Sequence, residues 1–339
     1  LDTGGSLVNF HKRRLSRAVL ICYPPAREHF LHRMKFPRPL MPGEKVAIIS
    51  PAGKIDRRVV EHGAQLLEQH GFTVEIGRHA CDAQGVFAGA DRARAADMQQ
   101  ALDDPSVRAV FFSRGGYGSL RTHLRLDWSA FLRDPKWLVG FSDVTVFHAY
   151  LARRGIASVH GVMSSWFARD GMPTTGFLEL LELLAGKLPG HVLPPHALNR
   201  IGTAAGTLTG GNLSIIQSLR GTPLDIRPKG RILFIEDLGE HHYHLDRMMQ
   251  NLKAGGVLEP LAGLVAGSFT GMKDGATPYG QTAYEIIREA VEPYHYPVAF
   301  DFPAGHALPN LPLLMGGRYS LEVSAGGVLI KSHKRRIDG

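Results

Sequence analysis

Cysteine is almost missing from this chain, which holds two, Cys22 and Cys81, among 339 residues. Two thiols cannot staple a protein of this length, and neither stands in a Cys-x-x-Cys or Cys-His metal spacing. The pattern points to a reducing compartment, hence to the cytoplasm. No apolar run reaches the roughly 20 residues that a spanning helix needs, so no membrane partner is expected. A short apolar run, Val19 to Tyr23, follows basic residues as in a secretory signal, but Pro24 and Pro25 cut it short and no small-residue cleavage site follows. Phosphate-loop chemistry is missing too. No Gly-x-x-x-x-Gly-Lys-Ser/Thr occurs, and Gly116-Tyr117-Gly118-Ser119-Leu120-Arg121 has arginine where a dinucleotide fingerprint needs its third glycine.

The formal charge of +8 is unevenly placed. Eight basic and two acidic residues between Leu1 and Arg38 give +6, leaving about +2 for the remainder, which is no footprint for a nucleic acid. Residues 1–33 are expected to lie outside the folded domain, because Met34 stands just before the first regular strand.

What is present is an ordinary globular composition, 44% apolar and 21% charged, long enough for two cores. Val46-Ala47-Ile48-Ile49-Ser50 is a continuous apolar run ended by Pro51-Ala52-Gly53, the pattern of a covered parallel strand. Helical spacing from about Asp56 to His70, a strand over Thr73 to Ile76, a helix over Asp91 to Leu102 and a strand over Arg108 to Ser113 follow. A fourth strand, Trp137 to Gly140, leads to another helix that stops at Gly155. This alternation predicts a doubly wound α/β domain over residues 34–165. A proline-bearing connector is expected over 166–202. A second α/β domain is expected over 203–332, with strands near 204–208, 231–236, 261–268 and 297–301 and a terminal hairpin, then a basic tail over 333–339.

Three places carry candidate chemistry. In Gly140-Phe141-Ser142-Asp143 a strand breaks into a helix with a serine on the corner. Such a corner lifts a hydroxyl above the sheet edge and leaves unpaired helical amides beside it, although Ser142 could equally be a plain N-cap. Arg114-Gly115-Gly116-Tyr117-Gly118 offers bare backbone at a strand end, suited either to a tight turn or to holding an oxyanion. Glu236 and Asp237 follow an apolar strand and should face opposite sides, so one of them can join a site; solvated loop acids are the alternative. His306 ends a further strand behind Gly305. In a denser cluster, His241, His242 and His244, the pair His242 and His244 stands two residues apart, which does not put two imidazoles on one helix face, and no Cys or His-Glu-x-x-His accompanies it, so no metal is expected. Serine, glutamate and histidine thus occur in one of the known orders of a hydrolase triad. The residue two after the serine is Val144, not the glycine of Gly-x-Ser-x-Gly.

With Ile49-Ser50-Pro51-Ala52, Arg114 to Gly118, Gly140 to Asp143, Gly210-Gly211-Asn212-Leu213, Ile235-Glu236-Asp237, Tyr243 to Met248 and Gly305-His306, the chain resembles the LD-carboxypeptidase family of serine peptidases, which includes the microcin C self-immunity peptidases. The resemblance runs from about Met34 to Lys331. It departs at Val162, where the family often has proline. It implies a flavodoxin-like N-terminal domain, a smaller C-terminal α/β domain and an active site in the cleft between them. It further implies Ser142 as nucleophile, Glu236 as acid and His306 as base. The oxyanion would be held by the amides of Asp143 and Gly116, and substrate would be contacted by Arg114, Gly115 and Tyr117. No cofactor and no metal are implied; a muropeptide substrate and a homodimer are. An aromatic platform from Trp166 or Phe167 would favour the self-immunity branch, whose substrate is a peptidyl or aminoacyl nucleotide.

Overall fold

The structure, a computed structural model, describes residues 34–333. The extension expected over residues 1–33 and the end of the tail, residues 334–339, lie outside the described residues.

The first half begins with β1 (Lys45–Ile49), α1 (Arg57–Gln69), β2 (Thr73–Ile76), α2 (Asp91–Asp103) and β3 (Val107–Phe112). Short helices α3 (Ser119–His123) and α4 (Ser129–Arg133) follow, then β4 (Trp137–Gly140), α5 (Thr145–Arg154) and β5 (Ser158–His160). β3 is buried at every position, as a strand covered on both faces must be. α1 starts where the Asp56 side chain accepts the Arg58 N–H, and α5 stops at Gly155, whose φ of 67° suits a residue without Cβ. The parallel order β2-β1-β3-β4-β5 is the doubly wound arrangement read from the sequence.

The stretch expected as a connector holds the small hairpin β6 (Ala168–Arg169) and β7 (Met172–Pro173), then α6 (Thr175–Leu184) and β8 (Gly190–Leu193). β8 is not a passive link, because it pairs with the last strand of the chain and so closes one edge of the second sheet. That half comprises β9 (Gly202–Asn212), α7 (Leu213–Ser218), β10 (Arg231–Leu238), α8 (His242–Ala254), β11 (Gly263–Thr270), α9 (Ala283–Ala290) and β12 (Val298–Ala299). The chain ends with β13 (Leu313–Met315), β14 (Arg318–Ser324) and β15 (Gly327–His333). Its sheet order is β12-β11-β10-β9-β14-β15-β8, parallel from β12 to β9 and antiparallel beyond.

β13 does not join that sheet. It runs antiparallel along β5 at the edge of the first sheet, so the chain returns to its first half before the final hairpin. The core follows the same plan. One cluster is continuous through both halves, with Phe111, Val139 and Val159 in contact with a set that includes Leu208, Phe234 and Leu313. A second cluster covers the remaining face of the first sheet and a third that of the second. The carboxyl ends of β3, β4 and β10 carry the candidate residues, the position where open α/β sheets present ligand sites.

Candidate active site

Gly140 ends β4 in a space with no room for a side chain, since a Cβ there would lie 3.1 Å from the Phe112 ring and from a Val144 methyl. The backbone then turns sharply. Phe141 is extended, Ser142 has φ of 65°, and a 3-10 turn over Ser142–Val144 leads into α5. A positive φ at a non-glycine residue is held by its surroundings, and such strain concentrates at functional sites. Asp143 points inward, where its Oδ2 accepts the Ser119 N–H at 2.7 Å; burial pushes its carboxyl up. This bond ties the glycine loop to the serine corner.

The loop presses directly against the serine. A Cβ on Gly115 would lie 2.8 Å from Ser142 Cβ, 2.9 Å from its Oγ and 3.2 Å from the Asp143 amide nitrogen, so only glycine allows this approach. The Gly115 carbonyl accepts the Gly53 N–H at 3.0 Å. In a trans peptide the Gly116 N–H then points away from Gly53. Arg114 donates from Nη1 to the Lys54 carbonyl at 3.0 Å. Tyr117 leans on Phe87 with ring centroids 5.6 Å apart and is largely exposed.

On the facing side, Glu236 is fully buried near the end of β10, and its Oε2 lies 2.7 Å from His306 Nδ1. Gly305 has φ of 117°, and a Cβ there would fall 2.8 Å from Glu236 Oε2 and 2.6 Å from Ser268 Oγ; the glycine is what lets the imidazole approach. The ring also packs on Phe141, 4.8 Å away between centroids. Asp237 diverges as alternation requires. It accepts from Asn212 Nδ2, the Ser214 N–H and the Leu238 N–H, each at 2.9 Å. Burial, reinforced by the neighbouring Glu236 charge, pushes the Asp237 carboxyl up to about 7.

Ser142 and His306 line one cleft together with Lys54, Arg114, Gly115, Gly116, Trp166 and Leu238. Its volume is about 1590 Å³ including the open mouth. Of the two aromatic candidates, Trp166 faces the cleft and Phe167 is buried in the core. Tyr117 is not part of the cleft wall. Beneath the serine, His148 and His160 are buried; His148 Nε2 lies 2.8 Å from the Gly140 carbonyl and its Nδ1 2.8 Å from Ser158 Oγ. In the histidine cluster, His244 Nδ1 lies 2.5 Å from Glu240 Oε2. Among the described residues no group of three or more His, Cys, Asp and Glu side chains is arranged to hold a metal ion.

Sequence reasoning passed over two features. Lys54 lines the cleft from the loop after β1, with nothing in its neighbours to single it out. The Asn212 N–H donates to Thr145 Oγ1 at 3.0 Å, joining the second half to the helix that follows Ser142. A Cβ on Gly211 would lie 2.5 Å from that hydroxyl. The signal was the glycine pair before Asn212, legible as a close approach but silent about its partner.

Fold and cleft together define an α/β protein with a paired acid and imidazole in a cleft that a strained serine also lines. Residues 46–161 match the LD-carboxypeptidase N-terminal domain and residues 205–321 the LD-carboxypeptidase C-terminal domain, and the chain belongs to that family. It is 31% identical over 277 residues to the murein tetrapeptide carboxypeptidase of Pseudomonas aeruginosa, covering 78% of this chain and 87% of that one. The crystal structure of a muramoyltetrapeptide carboxypeptidase from Oxalobacter formigenes superposes with a TM-score of 0.79 at 28% identity, covering 86% of this chain and 99% of the other. The microcin C7 self-immunity protein in complex with aspartyl sulfamoyl adenosine shares the fold, with a TM-score of 0.78 at 20% identity over 88% of this chain and 98% of that one.

Proposed function

We propose that the protein is a serine-type LD-carboxypeptidase that releases the terminal D-alanine from muropeptide tetrapeptides, at the L-configured centre of a diamino acid, in peptidoglycan recycling. The 2.7 Å contact between Glu236 and His306, in a cleft that Ser142 also lines, carries this reading. The names of the Pseudomonas and Oxalobacter relatives support the substrate class. His306 takes the Ser142 proton through Nε2 while Glu236, on Nδ1, holds the tautomer and stabilises the imidazolium. The alkoxide attacks the carbonyl, the amides of Asp143 and Gly116 hold the oxyanion, and His306 protonates the departing D-alanine; water then repeats the sequence on the acyl-enzyme. Arg114 and Lys54, cationic at the cleft wall, suit the carboxylates of such a peptide. The enzyme works in the cytoplasm as a homodimer in this reading, without a metal.

The test is free D-alanine released from a defined tetrapeptide. Wild-type protein should release it and Ser142→Ala should not, with the thermal transition unchanged. Full activity in Ser142→Ala would move the nucleophile elsewhere, with Ser113 and Ser119 next in line. One observation favours a second reading: Trp166 lies on the cleft wall, where a nucleobase could stack. Turnover of an aminoacyl-sulfamoyl adenylate but not of the tetrapeptide would select the self-immunity reaction.

A further inference from the structure

The residue before His306 has no side chain, so the orientation of the imidazole has to be fixed from elsewhere. Gly305 must lack a Cβ for His306 to reach Glu236, yet a glycine at φ of 117° has no steric preference that holds it there. The peptide joining Ala304 to Gly305 is clamped at both ends. Its carbonyl accepts the Ser268 N–H of β11 at 2.9 Å, and its N–H, on the opposite edge of the planar unit, donates to Asn310 Oδ1 at 2.9 Å. The first clamp belongs to a strand of the sheet; the second is one side chain.

Asn310 is fully buried, and its own φ of 48° lies where asparagine is one of the few residues besides glycine to settle. The start of α6 backs this turn, since a Cβ on Gly176 would meet the carbonyls of Pro309 and Asn310. The loop is closed without the amide, because the Leu311 N–H donates to the Pro303 carbonyl at 2.8 Å. Asn310 Nδ2 finds no partner among the described residues. A buried amide with its donor unused costs stability, so a side chain serving only to fill the loop would be better apolar. What the asparagine adds is an acceptor aimed at the residue before His306. We infer that Asn310 is a positioning residue for the reaction proposed above: by holding the Ala304–Gly305 peptide, it sets the His306 ring against Glu236 Oε2 and keeps Nε2 turned into the cleft that Ser142 lines. The inference rests on His306 acting as the base. Without the acceptor the peptide can rotate about a glycine and the imidazole swings with it, while the cleft residues that bind substrate stay in place.

Two variants separate the side chain from the backbone. Asn310→Gly suits the turn and removes the acceptor; Asn310→Asp keeps an acceptor at the same place and gives up only the unused donor. In tetrapeptide cleavage Asn310→Gly should lower kcat at least about tenfold with KM unchanged, as a small misplacement of a reacting group does, and Asn310→Asp should keep most of the wild-type kcat. The Nδ1 proton shared by His306 and Glu236 gives a far-downfield NMR resonance, identified by its loss in His306→Gln. It should persist in Asn310→Asp and broaden or vanish in Asn310→Gly. Lys136→Met controls for stability alone: Lys136 holds the Ala101 and Asp104 carbonyls at the opposite end of β4, so this variant should lower the melting temperature yet keep both kcat and the resonance. The resonance needs no substrate. If wild type fails to cleave the tetrapeptide, the proposed reaction falls and the resonance alone decides for or against Asn310. Full kcat in Asn310→Gly, a lost kcat with the resonance intact, equal losses in Asn310→Gly and Asn310→Asp, or no such resonance in the wild type would each overturn the assignment.

Discussion

The backbone of Ser142, at φ of 65°, carries strain that its neighbours impose, and the Gly115 contact shows how little slack remains around it. Gly115→Ala would place a methyl group 2.9 Å from the Ser142 hydroxyl, forcing either the serine or the loop to move. Turnover should fall at least about a hundredfold, the loss typical when one oxyanion donor is misplaced. Thermal stability should change less, because the neighbouring Arg114, Gly116 and Tyr117 are exposed and the loop can shift outward. Single-turnover acylation with a parallel melting curve measures both, and a stability loss matching the activity loss would show that the glycine serves folding instead.

The adjacent acids Glu236 and Asp237 face different partners, and substitution can separate them. Glu236→Gln keeps shape but loses the charge on the His306 side and can present an amide donor to Nδ1. Acylation should drop by up to about ten-thousand-fold, the loss that removing the triad charge produces in a serine peptidase. Asp237→Asn should slow acylation far less, since Asp237 faces Asn212 and Ser214. The reverse ranking in single-turnover rates would reassign the acid.

Among the elements, the loops behind the glycine turn depend on one buried guanidinium. Arg94, 1% exposed on α2, donates to the Pro51 carbonyl at 3.1 Å, the Gly89 carbonyl at 2.5 Å and Asp91 Oδ1 at 2.5 Å, and its guanidinium lies 4.7 Å from the Phe87 ring centroid. Arg121, with Arg94, holds the Asp91 carboxyl down to about 2. Arg94→Met strands the buried Gly89 carbonyl, while the Pro51 carbonyl keeps the Thr122 hydroxyl and Asp91 keeps Arg121. Unfolding in urea should report a loss of about 2 kcal/mol, within the cost of leaving one buried acceptor unpaired. A loss below about 1 kcal/mol would mean that these loops are held by something else.

What the sequence made legible at this scale depended on run length. β1 and β3 announce themselves by continuous apolar residues, and α1 by helical spacing between Asp56 and Gly71. β8 escaped because Gly190-His191-Val192-Leu193 is short and abuts two prolines, the usual dress of a linker. β9 runs to Asn212, well past its expected end, because Gly210 and Gly211 look like breakers but serve close approach to Phe234 and Thr145. At the candidate site, the serine and the glycine loop were legible because each follows a strand and Glu236 because it closes an apolar run; His306, expected at a strand end, stands instead in the loop beyond the short β12, marked by its glycine and proline. Lys54 and the Thr145 contact were not, since both depend on how the two halves meet.

At the scale of the whole molecule, buried titratable groups set the response to pH. Burial lowers His148 to about 4 and His123 to about 4, and takes His160 well below its usual value. An unfolded histidine binds its proton near 6.5, so between about 6.5 and 4 the unfolded chain takes up protons that the folded one refuses, and stability falls as pH falls. For His148 alone the full effect is about 3 kcal/mol. Asp237 opposes this. Its folded value near 7 lies above the unfolded 3.8, so the folded chain holds the extra proton in that window and gains stability on acidification. Three histidines outweigh one aspartate, and the urea midpoint should fall from pH 7 to pH 5. In Asp237→Asn the fall should be steeper; a shallower fall would mean that the folded chain holds the Asp237 proton less tightly than the unfolded one does.

The return of β13 to the first sheet makes the two halves topologically unequal. Cut between β8 and β9, the leading fragment would keep its five parallel strands yet expose the flank of β5, a row of free amides and carbonyls that invites intermolecular pairing. The trailing fragment would carry Leu313-Leu314-Met315 without the neighbour it was made to cover, and would lack β8 along the flank of β15. Each fragment therefore owns a strand that the other needs. Reassembly from two separately made pieces would proceed by mutual strand donation, and a reshuffled chain order would have to keep both donors to yield a soluble protein.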